Sequence, residues 1–313
     1  SAIVQKRSGK SVLDYLTPRL FAPLGIEGPT WETCPKGIDT GGWGLAVKTE
    51  DIARFGQCYL HNGQWNGRQI VPKEWVESAT HRQVSNGDPA NPSDWSQGYG
   101  YQFWRCRHDA YRGDGAFGQF CVVMPALDAV LAVTSGTGDM QAILNAAWDH
   151  LLPGIQSEAP AAGEAAKTLR QKLAQLALPI PKGQPTSARA AQVSGKTFHF
   201  AANDLKLQSI TLNFTDDRCT LSLQTEKGLQ KQEYGSTAWV KSEAPLEGTP
   251  STRTAGRGAW TADDTYTGLL CFYETPFTQT ATCTFTPDQM TLTLHRNVGF
   301  GPTDHPPLIA KPA

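Results

Sequence analysis

The apolar residues change their period about halfway along the chain, and that change constrains the architecture more than any other feature. Up to residue 152 they recur at helical spacing in several segments. Ile52, Phe55 and Tyr59 fall at i, i+3 and i+7, and Met140, Ile143, Leu144, Ala147, Trp148 and Leu151 form a second stripe closed by Pro153. Beyond residue 190 the period becomes two. Ile210, Leu212 and Phe214 alternate with polar residues, as do Cys219, Leu221 and Leu223, then Cys283 and Phe285, then Met290, Leu292 and Leu294. The expected organisation is an α+β domain over 1–152, a linker with one amphipathic helix over 153–190, and an antiparallel β domain over 191–313.

Local signals refine the first part. Gly9 is placed to close a helix, Ser11 with Asp14 to start another, and Thr49 to cap a helix over 49–62; a shorter helix starts at Pro72. Strands are expected at Gly100 to Arg105, Phe117 to Met124 and Ala129 to Thr134. The last two are almost wholly apolar, which predicts central strands covered on both faces. Pro125 to Asp128 makes the turn between them. In the linker, Leu169, Leu173 and Leu176 predict a docked helix.

Composition excludes some functions. The 28 Lys and Arg residues against 29 Asp and Glu leave a net charge of −1, so there is no basic surplus for nucleic acid. The apolar runs are far shorter than the roughly 20 residues that cross a bilayer. The seven cysteines have no Cys-x-x-Cys spacing and read as free thiols, which leans towards a reducing, cytoplasmic compartment and leaves the compartment open. The histidines show no metal spacing, and no metal site is expected. The first residues lack an initiator Met and a signal-peptide core, so the chain reads as beginning inside a longer protein.

The strings DYLTPRLFAPLGI, GGWGLAVKTEDIARFG, LHNGQWNGRQIVPKEWVESAT, GYGYQFW and GDGAFGQFCVVMPALDAVLAVTSG, in that order, resemble the second half of class C β-lactamase-related serine hydrolases. The resemblance covers residues 1–152. It implies a partial serine β-lactamase/penicillin-binding-protein-like fold, an antiparallel sheet flanked by helices, with an appended β domain. It also implies chemistry through an acyl-enzyme on a small ester, amide or peptide, with no cofactor. Three motifs make the family's site: a Ser-x-x-Lys, a Tyr-x-Asn and a Lys-Thr-Gly or a relaxed variant.

Only the third has a counterpart here, Gly113-Asp114-Gly115-Ala116. By resemblance, Gly115 lets the backbone approach an acyl group and the Ala116 N–H is the second oxyanion donor. Trp43, Tyr111 and Phe117 are expected to line the substrate cleft, and Trp95 and Trp104 fit either a cleft or a core. The departures are Gly113 for lysine and Asp114 for threonine. They remove the contacts that hold a β-lactam carboxylate, and Asp114 would repel that carboxylate unless protonated or paired. Read without the family, Gly-Asp-Gly is also an ordinary hairpin turn.

No serine is followed by lysine three places on, and no Tyr-x-Asn occurs. Thr33 to Lys36 is the nearest imitation of the first motif, and Tyr234-Gly235-Ser236 imitates the second in the wrong order. The expectation is a serine hydrolase whose nucleophile lies in an N-terminal part of the full-length protein, this chain being inactive alone. A non-catalytic protein that binds a peptide or glycan fits the same absences, as does one half of a two-chain enzyme.

Overall fold

A computed structural model describes residues 1–155, 163–246 and 251–313. Residues 156–162, which belong to the expected linker, and 247–250 lie outside the described residues. The chain divides into two compact units, Ser1–Pro160 and Ala161–Ala313.

The first unit opens with α1 (Ala2–Ser8) and α2 (Val12–Leu16). Gly9 ends α1 at φ 69°, and the Ser11 hydroxyl accepts from the Asp14 N–H at 3.0 Å, so both expected signals act as capping residues. Next come α3 (Thr49–Leu60) and α4 (Lys73–Thr80). Thr49 is the first helical residue of α3 and not its cap. Lys48 holds that place, its N–H donating to Asp51 Oδ2 at 3.4 Å, while the Thr49 hydroxyl bonds that of Thr134 at 2.9 Å. The apolar stripe from Met140 forms α5 (Met140–Ala146), which runs on as a wider π turn over Ala147–Leu151.

Besides two small two-stranded sheets, this unit has a sheet of four antiparallel strands, in the order β1 (Trp104–Arg105), β2 (Tyr111–Gly115), β3 (Gln119–Met124) and β4 (Ala129–Val133). One face carries the core of Tyr59, Val76, Phe103, Tyr111, Cys121 and Val123, shared with α3 and α4. The other carries Phe120, Val122, Met124, Leu144 and Trp148, shared with α5. Helix α3 comes close to its face because position 56 is glycine: a Cβ there would lie 2.6 Å from Val130 Cγ1 and 2.8 Å from Cys121 Sγ.

Three strand expectations need correction. Gly100 to Phe103 is a turn, with Gln102 at φ 63° and the Gly100 N–H bonded to the Phe103 carbonyl at 2.7 Å, so only Trp104 and Arg105 join the sheet. The strand expected from Phe117 begins at Gln119, because Phe117 and Gly118 form a turn at φ 65° and 91°. The third concerns β4, which among the described residues pairs only with β3 and is half-buried throughout, an edge strand in place of the central one its apolar run suggests.

The second unit begins with α6 (Glu164–Ala174) and α7 (Ala188–Val193). The α6 leucines Leu169 and Leu173 are exposed, so the expected docked face is not covered among the described residues. Ten strands follow: β5 (Thr197–Phe200), β6 (Leu207–Phe214), β7 (Arg218–Thr225), β8 (Gly228–Gly235), β9 (Val240–Ala244), β10 (Thr252–Ala262), β11 (Thr265–Cys271), β12 (Thr278–Phe285), β13 (Met290–Arg296) and β14 (Leu308–Pro312). Their order is β8-β7-β6-β5-β14-β13-β12-β11-β10-β9, and β8 also bridges β10 at Gly235 and Arg257. The sheet therefore closes on itself, which removes most of its open edge. Every second residue points into one continuous core, including Ile210, Leu212, Leu221, Leu270, Cys283, Phe285, Met290 and Leu292.

Candidate functional site

The site expected from the sequence lies on the β2–β3 hairpin. Residues alternate along β2, so Arg112 and Asp114 share one face while Tyr111, Gly113 and Gly115 share the other. The short strand β1 pairs with Tyr111 and Arg112 only. Gly113, Asp114 and Gly115 pair with Cys121, Phe120 and Gln119 of β3 and have no strand on their other side among the described residues. Ala116 is exposed at the end of this open stretch. Gly113-Asp114-Gly115 is thus part of a strand, which corrects its reading as a hairpin turn.

The turn beyond Ala116 is fastened down. The Phe117 carbonyl accepts from the Thr137 N–H at 3.1 Å and from the Ser135 hydroxyl at 3.0 Å, and the same hydroxyl reaches the Gly118 carbonyl at 2.8 Å. Gln119 Nε2 donates to the Ser135 carbonyl at 2.6 Å and to the Ala116 carbonyl at 3.3 Å. Ser135, Thr137 and Gln119 were not identified from the sequence. Their role is geometric, and no motif marks it.

Other expected residues divide. Tyr111 is only 5% exposed and meets Phe103 edge-on at 5.8 Å, and burial pushes its phenol pKa upward. It packs beneath the strand and does not line a cleft. Trp43 sits on a separate loop with 68% of its surface exposed; its carbonyl is held by Trp31 Nε1 at 3.0 Å and the Thr40 hydroxyl at 2.6 Å. Trp95 and Trp104 form a wall around a cation. The Arg112 guanidinium lies 4.4 Å from the Trp95 ring, 5.5 Å from Trp104 and 5.9 Å from Phe120.

Arg112 is fully buried. Its Nε donates to Asp114 Oδ2 at 3.0 Å, and Nη2 lies equally near the same oxygen without hydrogen-bond alignment. Its Nη1 donates to the Asp94 carbonyl at 3.0 Å and to Cys106 Sγ at 3.1 Å. Burial raises the Asp114 pKa, against the lowering effect of Arg112 and of the nearby Trp104 side chain. The aspartate expected to repel an anion is therefore paired, which weakens that repulsion.

A second buried carboxylate holds the wall in place. Asp94 accepts from the Arg107 N–H at 2.9 Å, Arg107 Nη2 at 2.8 Å, Gln141 Nε2 at 2.7 Å and Trp148 Nε1 at 3.0 Å. Burial alone would raise its pKa, yet these donors together lower it. The loop bearing Trp95 is thereby tied to α5 and, through the Asp94 carbonyl, to Arg112 on β2. All seven cysteines are free, and no cluster of His, Cys, Asp and Glu able to hold a metal occurs among the described residues. No described helix is long and apolar enough to cross a membrane.

No curated protein matches the chain. Among solved structures it is similar to a protein from Bacillus anthracis named as a 6-aminohexanoate-dimer hydrolase, at 23% identity and TM-score 0.40, over 50% of this chain and 42% of that one. It is also similar to the octameric penicillin-binding protein homologue from Pyrococcus abyssi, at 14% identity and TM-score 0.34, over 99% of this chain and 62% of that one. The chain thus spans less than two thirds of either structure. Residues 1–152, just under half of the chain, match the family model described as Beta-lactamase.

Proposed function

We propose that the chain forms the oxyanion-strand side of a serine hydrolase acting on uncharged esters or amides, with the nucleophile supplied from outside residues 1–313. The observation that carries this reading is the open side of β2 at Gly113–Gly115, ending at exposed Ala116 on a fastened turn. A substrate acyl group laid along that side would place its carbonyl oxygen near the Ala116 N–H. As a serine oxygen bonds to the carbonyl carbon, the oxygen becomes an oxyanion, and a fixed N–H stabilises it without reorganising. Collapse of that intermediate would expel the alcohol or amine and leave an acyl-enzyme, which water would then cleave.

The preference for uncharged substrates rests on side chains. Gly113 offers none, and Asp114 is committed to Arg112, so neither supplies a cation or hydroxyl for a substrate carboxylate. A Cβ at position 113 would meet nothing within 4 Å, so the backbone admits a side chain at this position.

The test is fluorophosphonate labelling of this chain beside the protein that carries its upstream sequence, with p-nitrophenyl acetate and a chromogenic cephalosporin assayed in parallel. Labelling and ester turnover by the longer protein, with weak cephalosporin turnover, is the expected result. Silence from both proteins would replace this reading with a binding protein on the same fold. Rapid cephalosporin turnover would overturn the substrate preference.

A further inference from the structure

We propose that Arg112 is a positioning residue that neutralises Asp114 and so decides which substrate charges the open side of β2 admits. The inference rests on the hydrolase reading for its substrate consequence, while the pairing itself stands on geometry. Arg112 cannot turn away from Asp114. Its guanidinium is fully buried, walled by Trp95, Trp104 and Phe120, and held by the Asp94 carbonyl and Cys106 Sγ on its far side. Asp114 keeps 12% of its side-chain surface exposed between Gly113 and Gly115, so its field reaches the open side of the strand.

The groups facing this pair come from every neighbouring element. Trp104 and Arg105 lie on β1, Phe120 on β3, and Trp95 and Tyr99 on the preceding loop; the Tyr99 phenol is raised by burial and then by the Asp114 charge. Arg105 is turned to the Thr80 and Asp109 carbonyls. Arg112 is therefore the cation that balances Asp114. With both present the local charge sums to zero. Without Asp114 the strand would present a fixed cation, and without Arg112 a fixed anion.

Two measurements test this, one of them independent of catalysis. In this chain, carboxyl NMR titration of Asp114 is expected to move to higher pH by about one unit or more in Arg112→Met and to return towards the wild-type value in Arg112→Lys. An unmoved titration would overturn the pairing. Should Arg112→Met fail to fold, the Arg112 Nε–H is expected to exchange about tenfold faster in Asp114→Ala, and unchanged exchange would overturn the pairing equally. In the longer protein, the ratio of kcat/KM for a carboxylate-bearing phenyl ester over an uncharged one is expected to rise about tenfold in Asp114→Ala. A constant ratio would overturn the substrate consequence. Absence of any turnover by the wild type would refute the hydrolase reading and the substrate consequence, leaving the pairing to be decided by NMR.

Discussion

The two units bury different things. In the first, the fully or nearly buried side chains include Asp39, Asp51, Asp94 and Arg112, and the apolar core is split into separate clusters on the two faces of a small sheet and beneath α2. In the second, the buried polar side chains among the described residues are uncharged, Gln232 and Thr254, inside one continuous core. Buried charge requires fixed partners, and fixed partners hold loops and strands in one geometry. The β unit gets its definition from sheet closure and side-chain packing, with the Tyr234 hydroxyl donating to Gln232 at 2.7 Å as an internal polar contact. The difference suggests that the first unit tolerates little change in its polar residues and the second little change in volume.

The largest expected effect is that of Asp94→Ala. It leaves Arg107, Gln141 and Trp148 without their common acceptor and should cost about 3–5 kcal/mol. Hydrogen exchange should rise across residues 94–148 and stay unchanged in β5 to β14; equal loosening of both units would break the comparison. Next comes Gly268→Ala in β11. A Cβ there would lie 2.6 Å from Tyr234 Cε1, and overpacking should cost about 1–3 kcal/mol, seen as a lower denaturation midpoint with faster exchange confined to the second unit. Tyr234→Phe should cost about 1–2 kcal/mol by leaving the buried Gln232 oxygen without its donor. A double variant with Gln232→Leu that recovered stability would sharpen the point.

Acid should separate the units as well. Asp94 has a lowered folded pKa, so its contribution is complete above the unfolded carboxylate value and is lost as pH falls through the folded one. Asp114 has a raised pKa and the opposite sign: its contribution is present below the unfolded value and is lost as pH rises through the folded one. Exchange in the first unit should therefore rise before that of the second as pH drops below about 4. Asp94→Asn should remove most of that dependence, and an unchanged acid response in this variant would assign it to other groups.

Much of the fold could be read from the chain because periodicity reports burial directly. The alternation at Ile210 and Leu212, at Leu221 and Leu223, and at Met290 and Leu292 matches strands whose inner residues are almost wholly buried. Strands β8, β10 and β11 were missed for a physical reason. Their inner positions include Gly258 and Gly268, which leave space for the Tyr266 and Tyr234 rings, and a glycine carries no apolar signal. Strand β2 was missed because Gly113-Asp114-Gly115 reads as a polar turn and the buried Arg112 carries no apolar signal.

A resemblance to the family motif was legible at Gly113–Ala116 because its neighbours stand in a recognisable order. The partners that give it shape were not: Arg112, Asp94, Ser135 and Thr137 come from separate stretches and share no spacing.

By itself, the sequence determined the α+β first part and the alternating β second part, since each depends on local periodicity. Only the tertiary structure decided that Asp114 is paired, that Tyr111 is buried, that β4 is an edge and that the second sheet closes. Those outcomes depend on contacts between residues far apart in the chain, which no local pattern encodes.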